Sequence, residues 1–154
     1  MNTTTENAAP APPPHVPALP AHAGTVLLAE DDRALRRYLE VVLQRAGYAV
    51  FAAADGLEAM KAALSSTFDA VVTDAVMPHL GGHELCRFLR RHPKLASLPV
   101  VLLSGADQTA APSDASERAD VYLFKPVSPE ELAACLAGLI APTRRAPVAA
   151  AELS

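Results

Sequence analysis

The chain has 154 residues, 51% of them apolar, with 13 basic and 17 acidic side chains and a formal net charge of −4. That length suits one domain with one real core. With no run of 18 apolar residues and no charged start followed by an apolar stretch, the sequence predicts neither a spanning helix nor a secretory signal, and the protein is expected in the cytoplasm. Charges in the two tails cancel, so the negative balance sits in residues 24–141. This argues against generic nucleic-acid binding, which needs a positive surface to displace counterions. Cys86 and Cys135 are far apart and form no CxxC pair, and are read as small hydrophobes in a reducing compartment.

Residues 1–23 hold six prolines and six alanines and almost no charge, and are expected to be a disordered tail. Residues 142–154 have a similar composition with Arg144 and Arg145, and neither tail has room for a second domain.

Between the tails the periodicity alternates. Thr25–Ala29 is a short apolar run suited to a strand buried on both faces. Asp32–Ala46 follows with Leu35, Leu39, Val42 and Leu43 at helical spacing and Gly47 as a stop. Asp32 is read as the cap of that helix rather than a metal ligand. Ala49–Ala52 is a second strand, and Asp55 with Glu58 forms a capping box for a helix through Leu64. Ala70–Thr73 is a third apolar run, ending in Asp74. Gly82–Arg91 reads as a helix with Pro93 beyond its end. Its basic run, Arg87, Arg90, Arg91, His92 and Lys94, is expected to be a solvated helix face. Val100–Leu103 and Val121–Phe124 are the last two strands, and Ser128-Pro129-Glu130-Glu131 starts a helix to about Ile140. The connection 106–119 has no large apolar residue and contains Pro112, so its helix is expected to be short or mobile, from about Asp114. His79 and His83 have a metal-ligand spacing, but Gly81 and Gly82 between them argue against one continuous helix and against zinc.

This is a βα unit repeated five times. Such a pattern implies a parallel sheet covered on both faces, with right-handed connections. Ligands then bind beyond the carboxyl ends of the strands, at a topological switch point. Glu30 and Asp31 follow the first strand, Asp74 the third, Ser104 the fourth and Lys125 the fifth. Three crowded carboxylates repel one another unless a cation sits among them. A magnesium ion with oxygen ligands meets that need. Lys125 adds a point charge and Ser104 a hydroxyl for incoming phosphoryl oxygens. Such a site positions and stabilises charge, which is what phosphoryl transfer to a carboxylate requires.

Four stretches carry a resemblance. They are Val26-Leu27-Leu28-Ala29-Glu30-Asp31-Asp32, Asp74-Ala75-Val76-Met77-Pro78 with Gly82 beyond, Val101-Leu102-Leu103-Ser104, and Ala119-Asp120-Val121-Tyr122-Leu123-Phe124-Lys125-Pro126. In this order and spacing they resemble the receiver domains of two-component response regulators, over about residues 24–141. The resemblance implies a doubly wound five-stranded parallel sheet of the flavodoxin-like, CheY-like kind, with strand order 2-1-3-4-5. It implies that Asp74 is the phosphoacceptor and that Ser104 and Lys125 contact the phosphoryl group. Glu30, Asp31, Asp74 and the backbone carbonyl of Val76 would hold Mg²⁺, and Tyr122 with Ser104 would form the switch. The implied donor is a histidine kinase or a histidine phosphotransfer protein. Arg36 and Arg37, on the first helix, stand where that donor often docks.

The sequence departs from the family in places. Glu30 stands where Asp is common, Gly105 where alanine is often seen, and Gly81 where an acid is frequent. Val76 and Ala106 flank the phosphoryl position and cannot orient a water, which implies slow loss of phosphate.

The expected function is a stand-alone receiver, monomeric and without direct nucleic-acid or membrane binding. It would signal to a downstream protein or pass phosphate along a relay, and it would not turn over an independent substrate. A pseudo-receiver that keeps the fold without the chemistry is the alternative; it would be favoured by missing acids or a missing lysine, and here all are present. A phosphatase with an aspartyl-phosphate intermediate commonly has a second acid two residues after the nucleophile, where this chain has Val76.

Overall fold

The computed structural model describes residues 23–105 and 117–140. The expectations for the two tails, for Ala106 and for most of the weak helix within 106–119 lie outside the described residues. The elements are β1 (Gly24–Ala29), α1 (Arg33–Arg45), β2 (Tyr48–Ala53), α2 (Gly56–Ser65), β3 (Ala70–Asp74), α3 (Gly82–Arg91), β4 (Val100–Ser104), β5 (Val121–Phe124) and a last helix, α4, over 129–140. The strands form one parallel sheet in the order β2-β1-β3-β4-β5. The alternating pattern predicts such a parallel sheet covered on both faces, and the strand order is the one that the resemblance implies.

Successive residues of a strand point to opposite faces, so each apolar strand feeds two cores. Leu27, Val71 and Leu102 pack on one face against Leu85 and Leu89 of α3 and the alanines of α2. Val26, Leu28, Val72, Val101 and Leu103 pack on the other against Leu39 and Leu43 of α1 and Leu132, Leu136 and Ile140 of α4. The central strands β3 and β4 are buried at every position. Each fully buried leucine contributes roughly 1.5–3 kcal/mol relative to exposure. The edge strands differ: β2 exposes Phe51 and β5 exposes Phe124, and among the described residues each of these strands pairs on one side.

The helices begin where polar side chains satisfy free backbone N–H groups. Asp32 Oδ1 accepts from Leu35 N at 2.9 Å, Asp55 Oδ1 from Glu58 N at 2.8 Å, and Ser128 Oγ from Glu131 N at 3.0 Å. Asp32 is therefore the helix cap. At α3 the cap is Gly81, whose N–H donates to Glu84 Oε1 at 3.1 Å. Two glycines permit close backbone approach. A Cβ on Gly82 would lie 2.1 Å from Asp74 O, and one on Gly56 2.0 Å from Leu80 O.

The basic run of α3 is not simply a solvated face. Arg87 and Arg91 pair with Glu117, as outward side chains can. Arg90 is turned inward, its side chain only 12% exposed, and donates to Arg118 O, Ala96 O, Leu98 O and Asp120 Oδ2. Asp120 Oδ2 also accepts from Val100 N at 2.8 Å, so this one guanidinium ties the end of α3 to the entries of β4 and β5. His79 lies before α3 at φ 69°, with Nε2 4.0 Å from Asp55 Oδ2, so it does not share a helix with His83. Both cysteines are free; Cys86 is buried and Cys135 half-buried.

Candidate phosphoacceptor site

The sheet register brings the strand-end residues together. Ala29 pairs with Thr73, Asp74 with Leu103 and Ser104 with Phe124. Glu30, Asp74, Ser104 and Lys125 therefore meet at the carboxyl edge of β1, β3, β4 and β5. The crevice between β1 and β3 is the switch point, because the chain runs outward from β1 to β2 and then returns to β3. Glu30, Asp74 and Ser104 are buried polar residues among apolar neighbours.

Lys125 Nζ lies 2.8 Å from Asp74 Oδ1 and 3.6 Å from Glu30 Oε1. Asp74 Oδ1 also accepts from Ala75 N at 2.9 Å. With Oδ1 held twice, Oδ2 is the oxygen left open to a metal or a phosphoryl group. Glu30 Oε2 accepts from Asp32 N at 3.0 Å, which turns this longer side chain back along the β1–α1 loop. Its other oxygen, Oε1, is buried and has no hydrogen-bond partner among the described residues.

The electrostatics follow from this crowding. Burial, above all, raises the pKa of Glu30 from 4.5 to about 7. The Asp32 N–H and the charge of Lys125 pull it down, while the charges of Asp74 and Asp31 push it up. For Lys125, burial is the largest influence and opposes its charge. The hydrogen bond to Asp74 and the charges of Glu30 and Asp74 together outweigh it, so its pKa is raised.

One carboxylate oxygen each from Glu30, Asp31 and Asp74 lie within 4.8 Å of one another. An all-oxygen set that includes a buried carboxylate oxygen accepting no hydrogen bond fits a hard divalent cation such as Mg²⁺. Among the described residues this is the one such group of three. Val76, two residues after Asp74, has its side chain exposed. Tyr122 is half-buried against the α2–α3 core, and its hydroxyl accepts from Ala119 N at 3.0 Å. Two residues were not anticipated here. Arg36 has a loop contact that the sequence did not indicate: it donates from Nη1 to Glu30 O at 2.9 Å and reaches Asp31 O at 3.5 Å. Arg90 holds the entry to β5 as described above. Their partners are chiefly backbone carbonyls, which leave no mark in a sequence.

A model of the response regulator receiver domain matches residues 26–137. The chain belongs to that family. It is 34% identical over 127 residues to the transcriptional regulatory protein GltR of Pseudomonas aeruginosa, a match covering 78% of this chain and 50% of GltR. The chain spans about half the length of the curated relatives it matches. Among solved structures, the response regulator TrrA of Thermotoga maritima, in complex with Mg(2+)-BeF, is 30% identical with a TM-score of 0.65 over 75% of this chain and 97% of that one. The receiver domain of a sensor histidine kinase from Pseudomonas aeruginosa PAO1, with magnesium coordinated in its active site cleft, is 27% identical with a TM-score of 0.69 over 77% of this chain and 98% of that one. The family is one of two-component signalling domains rather than a classical enzyme family, and the acidic cluster with these neighbours supports Mg²⁺ binding. No helix among the described residues is long and apolar enough to cross a membrane.

Proposed function

We propose that Asp74 accepts a phosphoryl group from a phosphohistidine of a histidine kinase or histidine phosphotransfer protein. The observation that carries this reading is the Asp74 carboxylate itself. It is held at the switch point with Oδ1 on Lys125 at 2.8 Å, beside two further acids that make a cation site. In the transfer, a lone pair of the Asp74 carboxylate forms the new O–P bond. The N–P bond breaks, and its electron pair leaves with the imidazole nitrogen.

Lys125 remains within reach of both the carboxylate and the incoming phosphoryl oxygens, and Ser104 offers its hydroxyl from the end of β4. Glu30, Asp31, Asp74 and the carbonyl of Val76 are the proposed Mg²⁺ ligands. The ion, when bound, supplies positive charge to the phosphoryl oxygens as they approach the carboxylate. The aspartyl phosphate would draw Ser104 toward it, and Tyr122 would leave its bond to Ala119 N and turn inward. This is the bistable element through which a cytoplasmic, monomeric receiver would change its affinity for a downstream protein, or pass phosphate along a relay. The negative balance of residues 24–141 favours a protein over nucleic acid as the direct target of this domain.

The test is binding of beryllofluoride, an analogue of the aspartyl phosphate. The parent should take it up only with Mg²⁺ present, with chemical-shift changes at Ser104, Tyr122 and Lys125, and Asp74→Ala should not respond. A folded parent that ignores beryllofluoride and Mg²⁺ together would favour the pseudo-receiver.

A further inference from the structure

Arg36 sits in the first turns of α1, where the helix dipole is positive and a cation is unfavourable. Asp32, the N-cap, places a carboxylate at that end of the helix, four residues before Arg36. The guanidinium is half-buried rather than extended into water. It is turned back onto the β1–α1 loop, with Nη1 2.9 Å from the carbonyl oxygen of Glu30 and 3.5 Å from that of Asp31. Neighbouring Arg37 is exposed and among the described residues reaches Glu40, at 3.4 Å. A guanidinium that turns back to two carbonyls of the loop carrying the acids points to a role outside the helix.

The acid pair needs such support. The Glu30 carboxylate is held through Oε2 by Asp32 N–H, but its Oε1 has no hydrogen-bond partner among the described residues. Asp31 is exposed, and its direction depends on the backbone that carries it. Glu30 N donates to Ala53 O at 3.1 Å, which fixes the strand side of the loop. The Arg36 contact fixes the other side.

We infer that Arg36 is a positioning residue for the cation site: by holding the carbonyls of Glu30 and Asp31, it sets the two carboxylates at the spacing that Mg²⁺ requires. It touches neither the ion nor the phosphoryl group. The inference rests on the Mg²⁺-dependent reading above. Supports of this kind typically change metal affinity by about 10-fold or more when removed.

The experiment is a calorimetric titration of unphosphorylated protein with Mg²⁺, for the parent, Arg36→Met, Arg36→Lys and Arg37→Met, with thermal melts of each without metal. We expect Arg36→Met to weaken Mg²⁺ binding about 10-fold, Arg36→Lys to recover part of the loss through one carbonyl, and Arg37→Met to match the parent. Removing the charge alone would tighten cation binding, so a weaker site in Arg36→Met separates positioning from charge. Parent-like or tighter binding by a folded Arg36→Met overturns the inference and leaves the site reading intact. If Arg36→Met does not fold, parent-like binding by Arg36→Lys together with parent-like binding by Arg36→Gln overturns it. A parent that binds no Mg²⁺ overturns both readings at once.

Discussion

Lys125 Nζ sits 2.8 Å from Asp74 Oδ1 and 3.6 Å from Glu30 Oε1, so one ammonium serves two carboxylates at the carboxyl edge of the sheet. The side chain is 29% exposed, which leaves its far side open to an incoming group. Lys125→Met removes the cation and leaves the acids to repel one another. We expect phosphorylation by a small donor to slow by at least about 10-fold, since charge stabilisation is most of what such a site supplies. Rates of adduct formation at saturating Mg²⁺ check this; a parent-like rate would remove Lys125 from the mechanism.

The raised pKa of Glu30 makes stability depend on pH. Its folded value is about 7 against an ordinary 4.5, so between these values the folded protein holds a proton that the unfolded chain has released. The folded state binds more protons there, and unfolding free energy falls as pH rises. The contribution is fully present below about pH 4.5 and lost as pH passes 7. Its size is on the order of 3 kcal/mol. Urea midpoints across that window should fall for the metal-free parent and flatten in Glu30→Gln. Saturating Mg²⁺ should reverse the loss near pH 7, because the ion stabilises the carboxylate form. Identical slopes for parent and variant would contradict the assignment.

Gly82 carries the close approach of α3 to the phosphoacceptor. A methyl group there would fall 2.1 Å from Asp74 O and 3.0 Å from Ala75 Cα, both backbone atoms. Gly82→Ala should therefore destabilise the fold by about 1–3 kcal/mol and move the Asp74 loop. Denaturant midpoints and the phosphorylation rate of the variant should both drop.

Arg90 and Arg87 should behave differently despite lying on one helix. Arg90→Met removes one donor from Asp120, which keeps Val100 N, and takes the guanidinium from three carbonyls, and we expect a loss of about 1–3 kcal/mol. Arg87 is 44% exposed and among the described residues pairs with Glu117, so Arg87→Met should change stability by less than about 1 kcal/mol. Equal losses in urea melts would contradict the distinction.

Val76 bears on the lifetime of the modified state. Its side chain is exposed beside Asp74 and has no group that can orient a water. Val76→Asn should shorten the lifetime of the aspartyl phosphate, followed as decay of the phosphorylated mass after the donor is removed. A decay no faster than the parent's would count against the role assigned to that position.

The fold was legible because its central strands are short apolar runs with polar residues only at their carboxyl ends, and its helices open on Asp32, Asp55 and Ser128, whose side chains make the caps expected of them. The edges were less so: nothing in the apolar runs distinguishes Phe51 and Phe124, exposed on edge strands, from the buried leucines of β1. The meeting of Glu30, Asp31, Asp74 and Lys125 was legible because strand ends in a parallel sheet share one edge. The inward turn of Arg90 and the loop contact of Arg36 were not. A guanidinium that binds carbonyls reads like any surface cation.

The most direct test of the account is intact mass after incubation with Mg²⁺ and acetyl phosphate, with Asp74→Ala alongside. The account predicts one added phosphoryl group on the parent, lost when Mg²⁺ is withheld and absent from the variant. A phosphoryl group that still appears on folded Asp74→Ala, or one that forms equally well without Mg²⁺, would contradict it.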